Sequence, residues 1–131
     1  MIGDGSTADK SSPVQVGSLT DWSQVDCGDF HFLAIKTDGT LWACGFNYLG
    51  RLGDGSTTDR SSPVQIGSGT YWAKINCGYD SSAAIRTDGT LWTWGPGTSG
   101  ILGNGATSHK SSPVQVGALT TWSDVNVSGY H

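Results

Sequence analysis

The stretch HFLAIKTDGTLWACGF, residues 31–46, decides how this chain folds. It consists of two apolar runs around Asp38-Gly39, a pair that signals a β-hairpin and reads here as a two-residue type I′ turn. With the period of two that a strand imposes, Leu33 and Ile35 point one way, and Phe32 and Ala34 the other. Leu41 and Ala43 likewise oppose Trp42 and Cys44. A sheet with one wet face would alternate apolar and polar residues, so a hairpin apolar on both sides must be covered on both sides. The hairpin returns as SAAIRTDGTLWTWG, residues 82–95, around Asp88-Gly89.

Outward from the hairpin the whole chain repeats. GDGSTADKSSPVQVG (3–17) recurs as GDGSTTDRSSPVQIG (53–67) and GNGATSHKSSPVQVG (103–117). Residues 3–50 and 53–100 are identical at 27 of 48 positions, and a fixed period of this length marks a solenoid, a propeller or an array. Two further strand signals complete each period. SPVQVG (12–17) opens on a proline, which suits a strand start or an edge, and WSQVDCG (22–28) follows it after a turn. Four short antiparallel strands, apolar on both faces and stacked between copies of themselves, make a β-propeller blade. The expected fold is therefore all-β and an incomplete propeller. Residues 1–131 form a single repeat domain, with repeats at 3–52 and 53–102 and a partial third at 103–131.

Composition narrows the function classes. Seven Lys and Arg stand against eleven Asp and Glu, a net charge of −4, and Lys10, Arg60 and Lys110 fall one per repeat rather than in a stripe. Nucleic-acid binding rests on clustered cations that neutralise phosphates, so no nucleic acid is expected as a partner. No apolar run approaches the roughly 20 residues of a membrane helix, so no membrane insertion is expected, and no signal-peptide pattern is visible. Cys27 and Cys77 align with Val127, which describes a small apolar core position, and Cys44 aligns with Trp94, which no metal site would tolerate. Neither metal nor cofactor is expected. The residues name no compartment; an extracellular, surface or virion-associated setting is the one favoured.

Chemical constellations give little. Asp4 to Asp9 and Asp54 to Asp59 offer oxygen ligands, but the third copy has Asn104 and His109, and the calcium-loop spacing is absent. Side-chain bonds to the loop backbone account better for these Asp and Ser residues. No G-x-S-x-G elbow occurs and Ser11-Ser12 recurs in every copy, so no catalytic residue is assigned. His31 becomes Ser81 in the second copy, with His131 at the same place in the third. It reads as a histidine that satisfies backbone groups inside a blade. Trp22, Trp72 and Trp122 are periodic, as are Trp42 and Trp92, and belong to packing; Trp94 has no repeat mate.

Candidate contact residues lie where the copies disagree, since positions fixed by the blade should match. Residues 29–33 (DFHFL) become 79–83 (YDSSA), and residues 46–49 (FNYL) become 96–99 (PGTS), both at loop ends beside glycines. Aromatic residues with polar neighbours at such tips make good anchors. The candidate partner-binding residues are Phe30, Phe46, Asn47, Tyr48, Arg51, Tyr79, Asp80 and Trp94.

From Cys27 to Gly55 the motif C-G-x-x-H-x-x-A-I-K-T-D-G-T-L-W-x-x-G-x-N-x-x-G-x-L-G-D-G resembles the repeat of the regulator of chromosome condensation family, in about two and a half copies. The SSPVQVG phrasing looks more like bacterial, phage or environmental members. The resemblance implies a seven-bladed propeller acting through protein contacts. Its eukaryotic namesake acts on a small GTPase through an inserted wedge, and a bacterial relative inhibits β-lactamases. No repeat here carries an insertion, so GTPase or enzyme regulation is the less favoured role. The expected function is a non-catalytic protein-interaction scaffold, one segment of a larger propeller protein, with a protein partner the residues do not name. The alternatives are an assembly subunit whose copies complete one another, and a glycan-binding propeller.

Overall fold

The computed structural model describes residues 1–129. The expected match of His131 to His31 lies outside the described residues. The fold is all-β: two four-stranded antiparallel sheets in stacked, propeller-blade fashion. β1 (Trp22–Cys27), β2 (His31–Lys36), β3 (Leu41–Gly45) and β4 (Arg60–Gln65) pair in chain order. β5 (Trp72–Cys77), β6 (Ser82–Arg86), β7 (Leu91–Gly95) and β8 (Lys110–Gln115) do the same. Each sheet thus draws its fourth strand from the opening phrase of the next repeat. Among the described residues only two short 3-10 turns, Tyr48–Gly50 and Thr98–Gly100, interrupt this pattern.

Both hairpins form, but their turn differs from the expected two-residue type. Ile35 faces Leu41, Lys36 N–H donates to Thr40 C=O, and Gly39 N–H donates to Lys36 C=O. The loop is therefore Thr37, Asp38 and Gly39, with a left-handed φ of +81° at Gly39 and no positive φ at Asp38. A type I′ turn needs a positive φ at both central residues. Here Asp38 instead uses Oδ1 to accept from the amide and hydroxyl of Thr40. Gly39 is also a point of close approach, since a Cβ there would lie 2.2 Å from the Thr70 carbonyl oxygen.

The expected faces hold. Leu33, Ile35, Leu41 and Ala43 of the first sheet are buried with Trp72, Cys77, Ala84 and Trp94 of the second in one core, closed by Leu52 and Ile66. Polar bonds lock the stack at repeating positions. Trp72 N–H donates to Gly39 C=O at 3.1 Å, and Trp122 N–H to Gly89 C=O at 3.2 Å. The Cys77 amide donates to Asp26 Oδ2, and the Val127 amide to Asn76 Oδ1. Gly5 and Gly55 donate to Ser61 and Ser111. The second blade thus holds residues 120–127 as the first blade holds residues 70–77.

Two strand expectations fail for one reason. Residues 10–15 and 122–127 form no strand, while their copies do. A strand needs a ladder partner, and no described strand lies beside either segment. The same logic splits the cysteines: Cys77 is buried by the first blade and its thiol pKa is raised by that burial, whereas Cys27 is exposed.

Candidate functional site

The loops before β2 and β6 and the loop after β3 converge on the inter-blade seam. Arg51 is the centre of the cluster. Its side chain is almost fully buried, and Nη2 lies 2.8 Å from Asp80 Oδ1 on the other blade. Its Nε donates to the Tyr48 carbonyl at 3.3 Å. The guanidinium carbon sits 5.6 Å from the ring centres of both Phe30 and Tyr48. Phe30 in turn meets Phe46 and Tyr79 edge-on, at 6.2 and 5.6 Å. Six of the eight candidate residues therefore form one patch, in which Phe30, Phe46 and Tyr48 are 43%, 44% and 62% exposed. A cavity of about 350 Å3 runs beneath it, walled by Phe30, His31, Phe32 and Phe46.

The other two candidates point inward. Asn47 is fully buried and organises the following loop: its Nδ2 donates to Asp54 Oδ1 and to the Ser56 and Thr58 carbonyls, while Oδ1 accepts from Leu52 N–H at 3.0 Å. Gly97 stands there in the second repeat, and Asn104, the counterpart of Asp54, has a buried Nδ2 without a partner. Replacing Asn47 by alanine strands several buried groups, and is expected to cost about 2 kcal/mol of stability and to speed hydrogen exchange at the Leu52 amide. Denaturant unfolding with amide exchange checks both; an unchanged Leu52 rate counts against the assignment. Trp94 is fully buried in the core, 6.3 Å from the Trp72 ring.

His31 contacts a side chain, not the backbone groups expected. Its Nε2 lies 2.9 Å from Ser82 Oγ, and the Ser82 hydroxyl donates to the Arg51 carbonyl at 2.8 Å. This resembles a histidine–serine dyad, but the hydroxyl hydrogen is committed and both side chains are buried. Burial first, and the nearby Arg51 second, lower the His31 pKa to about 4, far from what a base near neutral pH needs.

The acidic loops are internally satisfied. Asp54 Oδ1 accepts from the Ser56 amide and hydroxyl, and Oδ2 lies 2.7 Å from Arg60. Burial opposes ionisation of Asp54, yet these bonds and one from Asn47 together hold its carboxyl below the usual range. Asp4 repeats the turn with Ser6, and Lys10 takes the place of Arg60 at 3.4 Å. Among the described residues no cluster of three or more His, Cys, Asp or Glu could hold a metal ion.

A second cavity, about 400 Å3 and strongly apolar, lies on the outer face of the first sheet against Val16, Leu19, Trp22, Val25 and Phe32. Trp72 and Ile75, the counterparts of Trp22 and Val25, pack against the first blade. Among the described residues no blade packs on this face.

Sequence reading overlooked one feature, the cations at the ends of β2 and β6. Lys36 Nζ lies 4.3 Å from the Trp42 ring centre and 5.0 Å from that of Trp22, and Arg86 lies among Tyr71, Trp72 and Trp92. The signal was present in the disagreement of Asp21 with Tyr71 and of Leu19 with Gly69.

A two-sheet stack with identical hairpins and repeated inter-blade bonds sets the terms for comparison. Profiles described as the regulator of chromosome condensation (RCC1) repeat match residues 38–85 and 88–131, and a second of the same description matches 22–51 and 72–101. The chain belongs to the regulator of chromosome condensation repeat family. Solved RCC1-type structures superimpose accordingly. Human WBSCR16 gives a TM-score of 0.73 at 24% identity, over 82% of this chain and 29% of that one. Prp20p of Saccharomyces cerevisiae, described with its binding properties to Gsp1p and histones, gives 0.73 at 19% identity, over 86% and 31%. Yeast RCC1 (Prp20) bound by Kap60 gives 0.68 at 20%, over 79% and 27%. The chain spans less than a third of each of these solved chains. No curated protein matches it.

Proposed function

We propose that this RCC1-repeat chain is a non-catalytic protein-interaction scaffold, a segment of a larger propeller, which contacts its partner through the Phe30–Phe46–Tyr48 patch. The observation that carries the reading is that these exposed rings, contributed by loops where the repeats differ, gather over a buried inter-blade ion pair. Rigid rings seated on a fixed charge lose little freedom when they bind, as interface anchors require. The binding of Gsp1p and histones by Prp20p, and of Kap60 to yeast RCC1, lends the fold a precedent for protein partners.

The test is the pair Phe46→Ala and Tyr48→Ala, made together. Affinity for a protein partner isolated with the wild-type chain is expected to fall at least about 30-fold, corresponding to about 2 kcal/mol. Stability should change by less than about 1 kcal/mol, because only the edge contact of Phe46 with Phe30 and ring–cation contact at Arg51 are lost. Undiminished affinity removes the patch from the account. The open apolar face of the first sheet favours a second reading, in which copies of this chain complete one another. Light scattering that finds only monomers at high concentration rejects it.

A further inference from the structure

At the other end of the strands from Phe30, one blade carries a group the other lacks. In the first repeat Lys36 has a carboxylate, Asp21, at 3.7 Å. In the second repeat Arg86 replaces Lys36 and Tyr71 replaces Asp21, so the carboxylate is gone. The Arg86 guanidinium carbon lies 3.6 Å from the Trp92 ring centre, 4.1 Å from that of Tyr71 and 4.8 Å from that of Trp72. Among the described residues no carboxylate forms an ion pair with this guanidinium, its Nε is buried without a partner, and the one carboxyl that feels its charge, Asp88, does so from a distance while bonded to Thr90.

A third difference fits the other two. Gly69 stands where the first repeat has Leu19, and a Cβ at Gly69 would fall 2.1 Å from Cζ of Tyr71. The tyrosine ring therefore folds back over the glycine and onto Arg86, which leucine would prevent. Beside it opens a cavity of about 280 Å3, lined by Tyr71, Trp72, Arg86, Ser112 and Asp54. Asp54 is already matched by Arg60, so it does not neutralise Arg86.

We propose that Arg86 in its aromatic surround is a receptor for one carboxylate, an Asp or Glu side chain of the protein partner. Three rings lie within 5 Å of the guanidinium carbon, and the N–H groups of such a planar cation can grip a carboxylate with two parallel bonds. Flanking apolar surface strengthens such a pair relative to one in open water. The cavity admits a single side chain, and a chain of net charge −4 repels an extended polyanion. This inference rests on the protein-interaction reading and adds the chemistry of one contact.

The experiment is an NMR titration of the labelled chain with N-acetyl-glutamate amide, with N-acetyl-glutamine amide as its neutral twin and with acetate. The glutamate probe is expected to shift the Arg86 Nε–H and Trp92 Nε1–H signals with a Kd of about 1–10 mM, while the glutamine probe leaves them in place. Tyr71→Asp, which restores the first repeat's internal carboxylate, and Arg86→Gln should each weaken binding at least ~10-fold. No shift of the wild type with the glutamate probe overturns the proposal, as do equal shifts with both amides or full binding by Tyr71→Asp. Acetate binding as tightly as the glutamate probe overturns the assignment to a peptide side chain. The wild-type arm needs no variant to fold. A chain that captures its partner through Phe46 and Tyr48 yet ignores the glutamate probe loses this inference alone.

Discussion

Replacing Trp94 by alanine is expected to lower the free energy of unfolding by about 3–5 kcal/mol. That is a large share of the 5–15 kcal/mol typical of a folded domain. Trp94 is fully buried at the seam of the two blades, and its Nε1 has no hydrogen-bond partner, so its contribution is packing. The cavity cannot collapse easily, because one wall is backbone: a Cβ on Gly53 would lie 2.6 Å from the indole nitrogen. Trp94→Phe should cost less than half as much, since it retains most of the ring and forfeits no bond. Trp122→Ala is the internal control; that ring is 37% exposed, and its loss should cost less than about 1 kcal/mol. Denaturant midpoints of the three variants check the ordering. Equal losses at Trp94 and Trp122 would show that the inter-blade core does not carry the stability.

Why Trp94 lacks a repeat mate is a matter of register. In the first sheet Phe32 faces Cys44 across the hairpin; in the second Ser82 faces Trp94. A large and a small side chain have exchanged strands, and in each case the ring lies against a loop glycine, Gly3 under Phe32 and Gly53 under Trp94. Total volume on that face is kept, which cores tolerate better than a lone change. The sequence contains both pairs, but the two-residue turn it suggests would shift the register by one and hide their opposition. The blade itself was legible because periodicity and a two-sided apolar hairpin are local signals. The turn was not, because Asp38 chooses its loop through its bonds to Thr40. Strands at 12–17 and 122–127 looked as good as their copies, yet a strand exists only beside a partner.

The candidate site was legible to a similar depth. Disagreement between copies picked out Phe30, Phe46, Tyr48, Tyr79 and Asp80, and the stack brings them to one seam. The same rule also picked Asn47 and Trp94, which differ between copies for internal reasons: one ties a loop, the other fills a core. Disagreement marks freedom from the blade's common duties, and a private structural duty produces it as readily as a contact surface does. Gly69, Tyr71 and Arg86 escaped notice because they are scattered over 18 positions and meet only when β5 and β6 pair.

Stability should fall with acid in a window that belongs to His31. The Ser82 hydroxyl gives its hydrogen to the Arg51 carbonyl, so its oxygen accepts from His31, which fixes the proton on Nε2 and leaves Nδ1 bare and buried without a partner. A second proton would charge a buried ring near the Arg51 guanidinium. Burial, then that neighbouring charge, lowers the pKa from 6.5 to about 4. Above pH 6.5 the ring is neutral whether the chain is folded or not, and its contribution is intact. Below 6.5 the unfolded chain takes up a proton that the folded one refuses, and stability drops by about 1.4 kcal/mol per pH unit. The fall levels off below the folded pKa, at a total of about 3 kcal/mol. Asp4, Asp38, Asp54 and Asp88, all held below their ordinary 3.8, lose their contribution only under that value, so the two windows separate. His31→Gln keeps a donor toward Ser82 and cannot titrate; it should be less stable at neutral pH yet flat between about 6.5 and 4. Urea midpoints across the series decide it. A wild type that is flat in that window, or a variant with the same slope, would show that the seam admits a charged imidazole and that burial beside Arg51 does not hold it neutral.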